Sequence, residues 1–264
     1  MLLFALNARE GHSQESNNFK GIGWIGIETY DIEAAKHFFG GVLGFISHTD
    51  YERFEMYQLP NGQFIEWIKV DRKDEIPGVY IGLTTSDIEK DKQQLEEEGL
   101  EFLRDIRWVD KEAGYGWTAF KDNNGTTIEY TQNPVLKEVI NDDTRKLNII
   151  GLSSIEYMIE DPEKTKTFYQ SYFPLREEVN TKTKISLTHA NGTPLHLLSQ
   201  DTEEGYYKAS HSIVGFEVED LSQATRLLEE KGVELIGAMI SRKESSVQYF
   251  RGLDGVVYFL EEKE

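Results

Sequence analysis

The sequence contains no cysteine among its 264 residues. A chain without cysteine has neither a disulfide framework nor a thiol nucleophile, which excludes small disulfide-stapled folds and cysteine-based catalysis. The absence is also typical of proteins from a reducing compartment. We therefore expect a cytoplasmic protein.

Long apolar runs are also lacking. No stretch reaches the roughly 20 apolar residues that a membrane-spanning helix requires. The opening MLLFAL is shorter than the roughly 7–15 apolar residues of a signal-peptide core, and no basic residue precedes it. We predict neither a membrane span nor a signal peptide, and we assign residues 1–19 as a mobile lead-in.

Basic residues are scarce beside acidic ones. The chain carries 28 Lys and Arg against 47 Asp and Glu, a formal net charge of −19 at pH 7. A field of this sign repels phosphate backbones and anionic lipid surfaces, which argues against nucleic-acid and membrane partners. The content of 39% hydrophobic and 12% aromatic residues is that of a folded globular protein.

The sequence repeats itself with a long period. Asp31 and Asp161 each follow a β-rich run, and they lie 130 residues apart, as do Gly125 and Gly255. Aromatic pairs and Asn-Gly pairs keep the same offset. A collinear set of this kind predicts two homologous modules. We place them at residues 20–133 and 148–264, joined by a linker at 134–147.

Each module also repeats internally. The β-rich runs GWIGIET (23–29) and VYIGLTT (79–85) each lead into a segment with helical apolar spacing, followed by further strand-like segments. Asn61-Gly62 is a hairpin signal, Ser86 is a candidate N-cap for the second helix, and Gly99 marks its end. The chain is therefore predicted to be an α+β protein of four βαβββ units.

Three segments together resemble the vicinal oxygen chelate superfamily, which includes glyoxalase, bleomycin-resistance proteins, fosfomycin-resistance enzymes and extradiol dioxygenases. They are GIGWIGIETYDIEAAKHFFGGVLGF, VYIGLTTSDIEKDKQQLEEEG and FKDNNGTTIEYTQ, and the resemblance extends to both modules. It implies two tandem modules whose curled mixed sheets form cups with the helices outside. Each cup of the family holds a divalent metal or a ligand.

The resemblance also implies which positions face a metal. In the family, ligands come from the first and last strands of each βαβββ unit and are normally His, Glu or Gln. Only Glu66, Glu129 and His196 carry such residues here, and the ion would be Zn, Ni, Fe or Mn. The implied positions are Trp24, Glu66, Tyr80 and Glu129 in the first module, and Ser154, His196, Ile213 and Phe259 in the second.

Two pairings of the units remain open from the sequence. If each module closes its own cup, the first offers Glu66 and Glu129 and the second offers only His196. If units pair across the modules, Glu129 and His196 share one cup and Glu66 stands in the other. Because neither arrangement completes a ligand set, we expect no cofactor.

Strand alternation indicates an aromatic cup in the first module. If Ile25 and Ile27 face the helix, Trp24 faces the cup, and the same reasoning directs Tyr80 and Glu129 inward. Tyr115 and Trp117 extend the predicted wall. Trp108 is either a further wall residue or part of the core. Glu129 is expected to accept a hydrogen bond from Tyr80 or from an arginine.

These residues predict a protein that binds a small organic molecule, planar or cationic, in an aromatic-lined cup where the metal site has degenerated. The alternative is a divalent-metal-dependent lyase or a ring-cleaving dioxygenase, and the sequence does not decide whether the protein is an enzyme. A duplicated chain can form internally the interface that single-module relatives form as dimers. We therefore expect a monomer with the two modules paired inside one chain.

Overall fold

A computed structural model describes residues 18–51, 53–71, 79–133, 147–189, 192–199 and 212–264. The predicted lead-in and linker lie almost wholly outside the described residues, as does Asn191 of the second Asn-Gly pair. Phe19 already belongs to the first strand, so the folded part begins slightly earlier than predicted.

The described elements form the four predicted βαβββ units. The first module contains β1 (Phe19–Thr29), α1 (Ile32–Lys36), β2 (Ser47–Tyr51), β3 (Phe54–Gln58), β4 (Phe64–Lys69), β5 (Val79–Thr85), α2 (Ile88–Glu97), β6 (Arg107–Asp110), β7 (Tyr115–Lys121) and β8 (Thr127–Gln132). The second contains β9 (Ile149–Ile159), α3 (Pro162–Tyr172), β10 (Arg176–Asn180), β11 (Lys184–Thr188), β12 (Leu195–Ser199), β13 (Ser212–Val218), α4 (Leu221–Glu230), β14 (Glu234–Ser241), β15 (Ser245–Arg251) and β16 (Val257–Lys263). A π-helical segment, His37–Val42, continues α1.

Each module is built on one eight-stranded mixed sheet. The strand orders are β2-β3-β4-β1-β5-β8-β7-β6 and β10-β11-β12-β9-β13-β16-β15-β14. The two units of a module meet where β1 pairs antiparallel with β5, and where β9 pairs antiparallel with β13. Each module therefore closes its own cup, which decides between the two pairings that the sequence left open.

Aspartate side chains start all four described helices. Asp31, Asp161 and Asp220 accept hydrogen bonds from the backbone N–H three residues on, as N-caps do. In α2 the cap is Asp87, because its carboxylate accepts from the backbone of Lys90 at 3.1 Å. The prediction of Ser86 was therefore wrong by one residue. No helix in the described part of the chain is both long and apolar enough to cross a membrane.

One hydrophobic core joins the two modules. It contains the helix-facing strand residues of both sheets, including Ile25, Ile81 and Phe216. Rings meet across the modules, with Phe45 and Phe216 at 5.6 Å and Phe120 and Phe173 at 5.7 Å between centroids. The shared core covers the helix side of both sheets, so the cups lie on the opposite faces.

Candidate functional site

A cavity of about 380 Å³ occupies the cup of the first module. All five residues predicted to bind a ligand line it, and so does Glu66. The complete lining is Trp24, Phe54, Glu66, Ile68, Tyr80, Arg104, Val109, Tyr115, Trp117, Ala119, Thr127, Glu129 and Thr131. The alternation was therefore read correctly on β1, β5 and β8, and Glu66 on β4 lies where the resemblance implied.

Glycines let the Trp24 indole lie flat on the floor of this cavity. A Cβ atom at Gly82 would come within 2.6 Å of the indole, and one at Gly26 within 2.5 Å. Such distances are shorter than any real carbon contact, so both positions need glycine for the ring to cover the strands. Trp24 is 3% exposed and packs with Met56 and Phe64. The ring thus provides an apolar floor at a position where the resemblance implies a metal ligand.

Two acidic side chains face each other across this floor. Glu66 extends from β4 and Glu129 from β8, on opposite sides of Trp24 on β1 and Gly82 on β5. Burial raises the pKa of Glu66 well above its usual range, the nearby charge of Glu129 raises it further, and a hydrogen bond from Trp24 opposes both. Burial raises the pKa of Glu129 to about 7, against the opposing charge of Arg104.

The polar groups of β8 have few protein partners. No described residue donates a hydrogen bond to the Glu129 carboxylate, and the Thr131 hydroxyl oxygen is buried without a hydrogen-bond partner. Thr131 lies two residues from Glu129 on the same face of β8 and is 2% exposed. Buried polar atoms in folded proteins nearly always have a partner, so this wall is suited to a ligand that supplies one.

Two tyrosines of the wall are anchored to the protein. The Tyr80 hydroxyl donates to Glu28 at 2.5 Å, and the Tyr115 hydroxyl donates to the Met56 sulfur at 3.7 Å. The expected bond from Tyr80 to Glu129 is thus replaced by one to Glu28. The ring orientations are fixed from outside the cavity, which leaves the ring surfaces to contact a ligand.

Arg104 is the residue that the sequence prediction missed. It is exposed, precedes β6, and lies with its guanidinium carbon 4.9 Å from the centre of the Trp117 ring. Arg107 lies 5.6 Å from the same ring. The positive charge of Arg104 acts on Glu129, but the predicted hydrogen bond from an arginine to this carboxylate is not present among the described residues. The residue comes from a loop without strand periodicity, so no sequence pattern indicated it.

Trp108 belongs to the other face of the sheet. It pairs with Gly116 on β7, out of phase with Tyr115 and Trp117, and it packs against the shared core. A Cβ atom at Gly116 would come within 2.6 Å of its ring. The core alternative for Trp108 is therefore correct.

In the described part of the chain, mainly apolar side chains line the cup face of the second module. A separate apolar cluster occupies it, and Phe259 within this cluster is completely buried. A Cβ atom at Gly215 would come within 2.2 Å of the Phe259 ring. The cluster consists of Leu198, Ile213, Val247, Tyr249, Val257 and Phe259, with Met158 and Ile236 packed against it.

His196 lies in this second cup, apart from Glu66 and Glu129. Its Nδ1 atom lies 2.9 Å from the Ser186 hydroxyl, and burial lowers its pKa to about 3 with help from the charges of Lys184, Arg242 and Lys263. The three residues predicted as possible metal ligands are therefore divided between two sheets and do not form one site.

The match to a family model now decides the identity of the fold. Residues 21–130 and residues 151–258 each match the model of the Glyoxalase/Bleomycin resistance protein/Dioxygenase superfamily. The chain belongs to this superfamily. The two matches coincide with the two sheets, which confirms the resemblance and the duplication. A search of curated protein sequences finds no match.

Solved structures of the superfamily share the whole architecture. The Mn(II)-bound glyoxalase from Novosphingobium aromaticivorans is 14% identical, with a TM-score of 0.75 over 94% of this chain and 83% of that one. The 2,3-dioxygenase LapB from Pseudomonas sp. KL28 is 12% identical, with a TM-score of 0.72 over 93% of both chains. A catechol 2,3-dioxygenase is 13% identical, with a TM-score of 0.69 over 94% of this chain and 89% of that one. At such identities the likeness concerns the fold.

The donor set of the first cup does not fit a metal held by the protein alone. The four implied positions offer two carboxylates, an indole without a free lone pair, and a phenol that donates to Glu28. In the described part of the chain, no group of three or more His, Cys, Asp or Glu residues is placed to hold a metal ion. Protein metal sites normally supply at least three ligands, so we derive no chemistry through a metal here.

Proposed function

We propose that this superfamily member binds a small planar organic molecule in the cup of its first module, while the second module supports the fold. The observation that carries the proposal is the contrast between the cups. One encloses about 380 Å³ between aromatic walls, and in the described part of the other a buried apolar cluster covers the sheet.

The composition of the cavity suits such a ligand. Its volume lies within the roughly 300–1,000 Å³ of small-molecule pockets, which combine apolar walls with few polar groups. Trp24, Tyr80, Tyr115 and Trp117 offer ring surfaces, and planar molecules stack on such rings. Both halves of the cavity come from one module, so we propose that a monomer is sufficient for binding.

A tryptophan fluorescence titration tests the proposal. Trp24 and Trp117 line the cavity, whereas Trp67 is fully buried in the core. We expect planar organic molecules to change the emission of the protein in a saturable way. The variant Ala119→Tyr should abolish the change, because Ala119 lies on the cavity wall where a tyrosine would fill the space.

The matched control is Thr188→Ser, a conservative change at a buried position on β11 of the second module. It should leave the titration unchanged. If a panel of planar cations, neutral molecules and anions all fail to change the emission, the proposal is wrong. A response that survives in Ala119→Tyr also contradicts it, because the ligand then binds elsewhere.

The second candidate is a divalent-metal-dependent lyase or ring-cleaving dioxygenase. The observation in its favour is that Glu66 and Glu129 occupy two of the four implied ligand positions in one cup. The incomplete donor set opposes it. Elemental analysis of protein purified without chelator distinguishes the two. One equivalent of Zn, Ni, Fe or Mn that disappears in Glu129→Ala would favour the metal-dependent function.

A further inference from the structure

We infer that the ligand is a planar organic cation with at least two N–H donors, of the amidinium or guanidinium class, held by Glu66 and Glu129 against the rings of Trp24 and Trp117. This inference rests on the proposed function and specifies its ligand. It is carried by the acceptors on the cavity wall, by the position of Arg104 and by the charge of the lining.

The wall of the cavity presents acceptors that lack donors. Glu129 receives no hydrogen bond from a described residue, and the buried Thr131 hydroxyl oxygen has no partner. Glu66 receives one bond, from Trp24, although a carboxylate can accept several. A ligand with N–H groups at one end would supply the missing donors to both acidic side chains. An ether or a ketone only accepts, so it would pair with these side chains only in their protonated forms.

The protein itself places a planar cation at this site. The guanidinium group of Arg104 lies 4.9 Å from the centre of the Trp117 ring and acts on the charge of Glu129. Stacking of a cation on an indole combined with attraction to a carboxylate is therefore already realised at the cavity. A free amidinium has the planar shape and charge of this side chain and could enter deeper than the tethered Arg104.

The charges of the lining leave room for one more cation. The charged residues of the lining are Glu66, Glu129 and Arg104, so two acids face one base. Glu28 adds a further acid behind Tyr80, and Arg107 adds a base on the far side of Trp117 from the carboxylates' strands. In the described part of the second cup, Phe259 stands where Glu129 stands in the first, and the buried Glu156 already lies beside Tyr249 and Arg242.

Three molecules of one shape and different charge test the inference. Benzamidine, benzamide and benzoate share a planar ring and carry a positive, neutral and negative group. Isothermal titration calorimetry at pH 8 should show benzamidine binding at least about tenfold more tightly than benzamide, in line with hydrogen bonds to charged groups. Benzoate should bind least, because it meets the two acids.

Neutral variants identify the groups responsible. Glu129→Gln and Glu66→Gln keep the shape of each side chain, and each should weaken benzamidine binding about tenfold or more while changing benzamide binding little. Glu219→Gln, an exposed position in the second module, removes the same charge far from the cavity and should change nothing. Because both cavity variants carry the same expectation, failure of one to fold leaves the other.

The possible results distinguish the inference that the ligand is a cation from the proposal that the first cup binds a small molecule. If benzamide or benzoate binds as tightly as benzamidine, the inference is overturned and the proposed function stays intact. The same holds if the benzamidine affinity is unchanged in folded Glu129→Gln and Glu66→Gln. Absence of binding by all three molecules overturns the inference, and the proposed function falls with it only if the wider fluorescence panel is also silent.

Discussion

Four residues beyond the glycine that precedes the last strand, the first module carries Glu129 and the second carries Phe259. The backbone is equivalent at the two positions, since β5 pairs with β8 as β13 pairs with β16. The neighbouring strand repeats the contrast, where Ala119 faces Glu129 and Tyr249 faces Phe259. Small and acidic residues thus keep one cup open, and large apolar residues close the other.

Both modules nevertheless solve one packing problem in the same way. Gly82 and Gly215 occupy the same place on the central strands, and an aromatic ring covers each of them. The ring comes from Trp24 on the first strand of one module and from Phe259 on the last strand of the other. A glycine covered by an aromatic ring is common to both modules. The strand that supplies the ring determines whether space remains for a ligand.

The comparison suggests a division of labour after duplication. A filled cup gains the free energy of burying apolar surface, whereas an open cup with buried acids forgoes it. The shared core allows the second module to stabilise the first, because both sheets contribute to one hydrophobic cluster. The predictions below test this division, in order of decreasing effect.

The largest difference should appear at the position where the modules diverge. Phe259→Ala removes a fully buried ring and should lower the free energy of unfolding by about 3–5 kcal/mol. Glu129→Ala removes a buried acid without a donor, so its cost should stay below about 1 kcal/mol. Urea denaturation at pH 8 measures both. Equal losses would contradict the assignment of one cup to stability and the other to binding.

The two cups should respond to pH in opposite directions. Glu129 titrates near 4.5 when unfolded and at about 7 when folded, so the folded state keeps a proton that the unfolded chain has lost. The free energy of unfolding should therefore fall as pH rises from 4.5 to 7, by up to about 3 kcal/mol. Glu129→Gln should reduce this slope, and Glu66, whose pKa burial also raises, should account for the part of the same sign that remains.

His196 provides the opposite slope. Its pKa is near 6.5 when unfolded and about 3 when folded, so the unfolded state takes up a proton that the folded state refuses. Its contribution to stability is therefore lost as pH falls below 6.5. Denaturation of His196→Asn across this range should show the pH dependence of the free energy of unfolding that Glu129 causes. Denaturation of Glu129→Gln should show the dependence that His196 causes. Parallel curves for the two variants would contradict the burial of either group.

The covered glycines should be equally intolerant of a methyl group but differ in their effect on binding. Gly82→Ala and Gly215→Ala each force a ring to move and should cost about 1–3 kcal/mol in the free energy of unfolding. Only Gly82→Ala displaces a ring that lines the cavity, so only this variant should weaken the fluorescence response to ligand. A loss of binding in Gly215→Ala would show that the modules are not independent in function.

The smallest expected effect concerns Arg104. Arg104→Met removes the protein's own cation from Trp117 while keeping an apolar chain, so benzamidine should bind a few-fold more tightly, consistent with the roughly 0.5–1 kcal/mol of an exposed cation–π contact. Arg53→Met changes an exposed arginine that pairs with Asp71 and serves as the control. Weaker binding in Arg104→Met alone would instead make Arg104 a ligand contact.

More of the fold than of the candidate site could be predicted from the sequence. The duplication follows from a repeat of long period, and the alternation on GWIGIET and the Asn-Gly turn at residues 61–62 follow from short-range patterns. The described strands confirm all of these. Glu129 could be placed because it lies on such a strand. Arg104 and Ala119 could not be selected, since their importance depends on which loop and which hairpin register reach the cup.

Trp108 shows why the register matters. In sequence it lies shortly before Tyr115, and either face of β6 would be consistent with its neighbours. The hairpin pairs it with Gly116, which turns it towards the core. A shift of one residue in this pairing would have turned it into the cavity. Register is set by long-range packing, so a local pattern does not reveal it.

The most direct test of the account is the stoichiometry of benzamidine binding measured by isothermal titration calorimetry on the full-length chain and on Ala119→Tyr. The account predicts one binding site per chain, which disappears when a tyrosine fills the first cup as Tyr249 fills the second. Two equivalent sites per chain, or one site that persists in Ala119→Tyr, would contradict the claim that the open cup of the first module is the binding site.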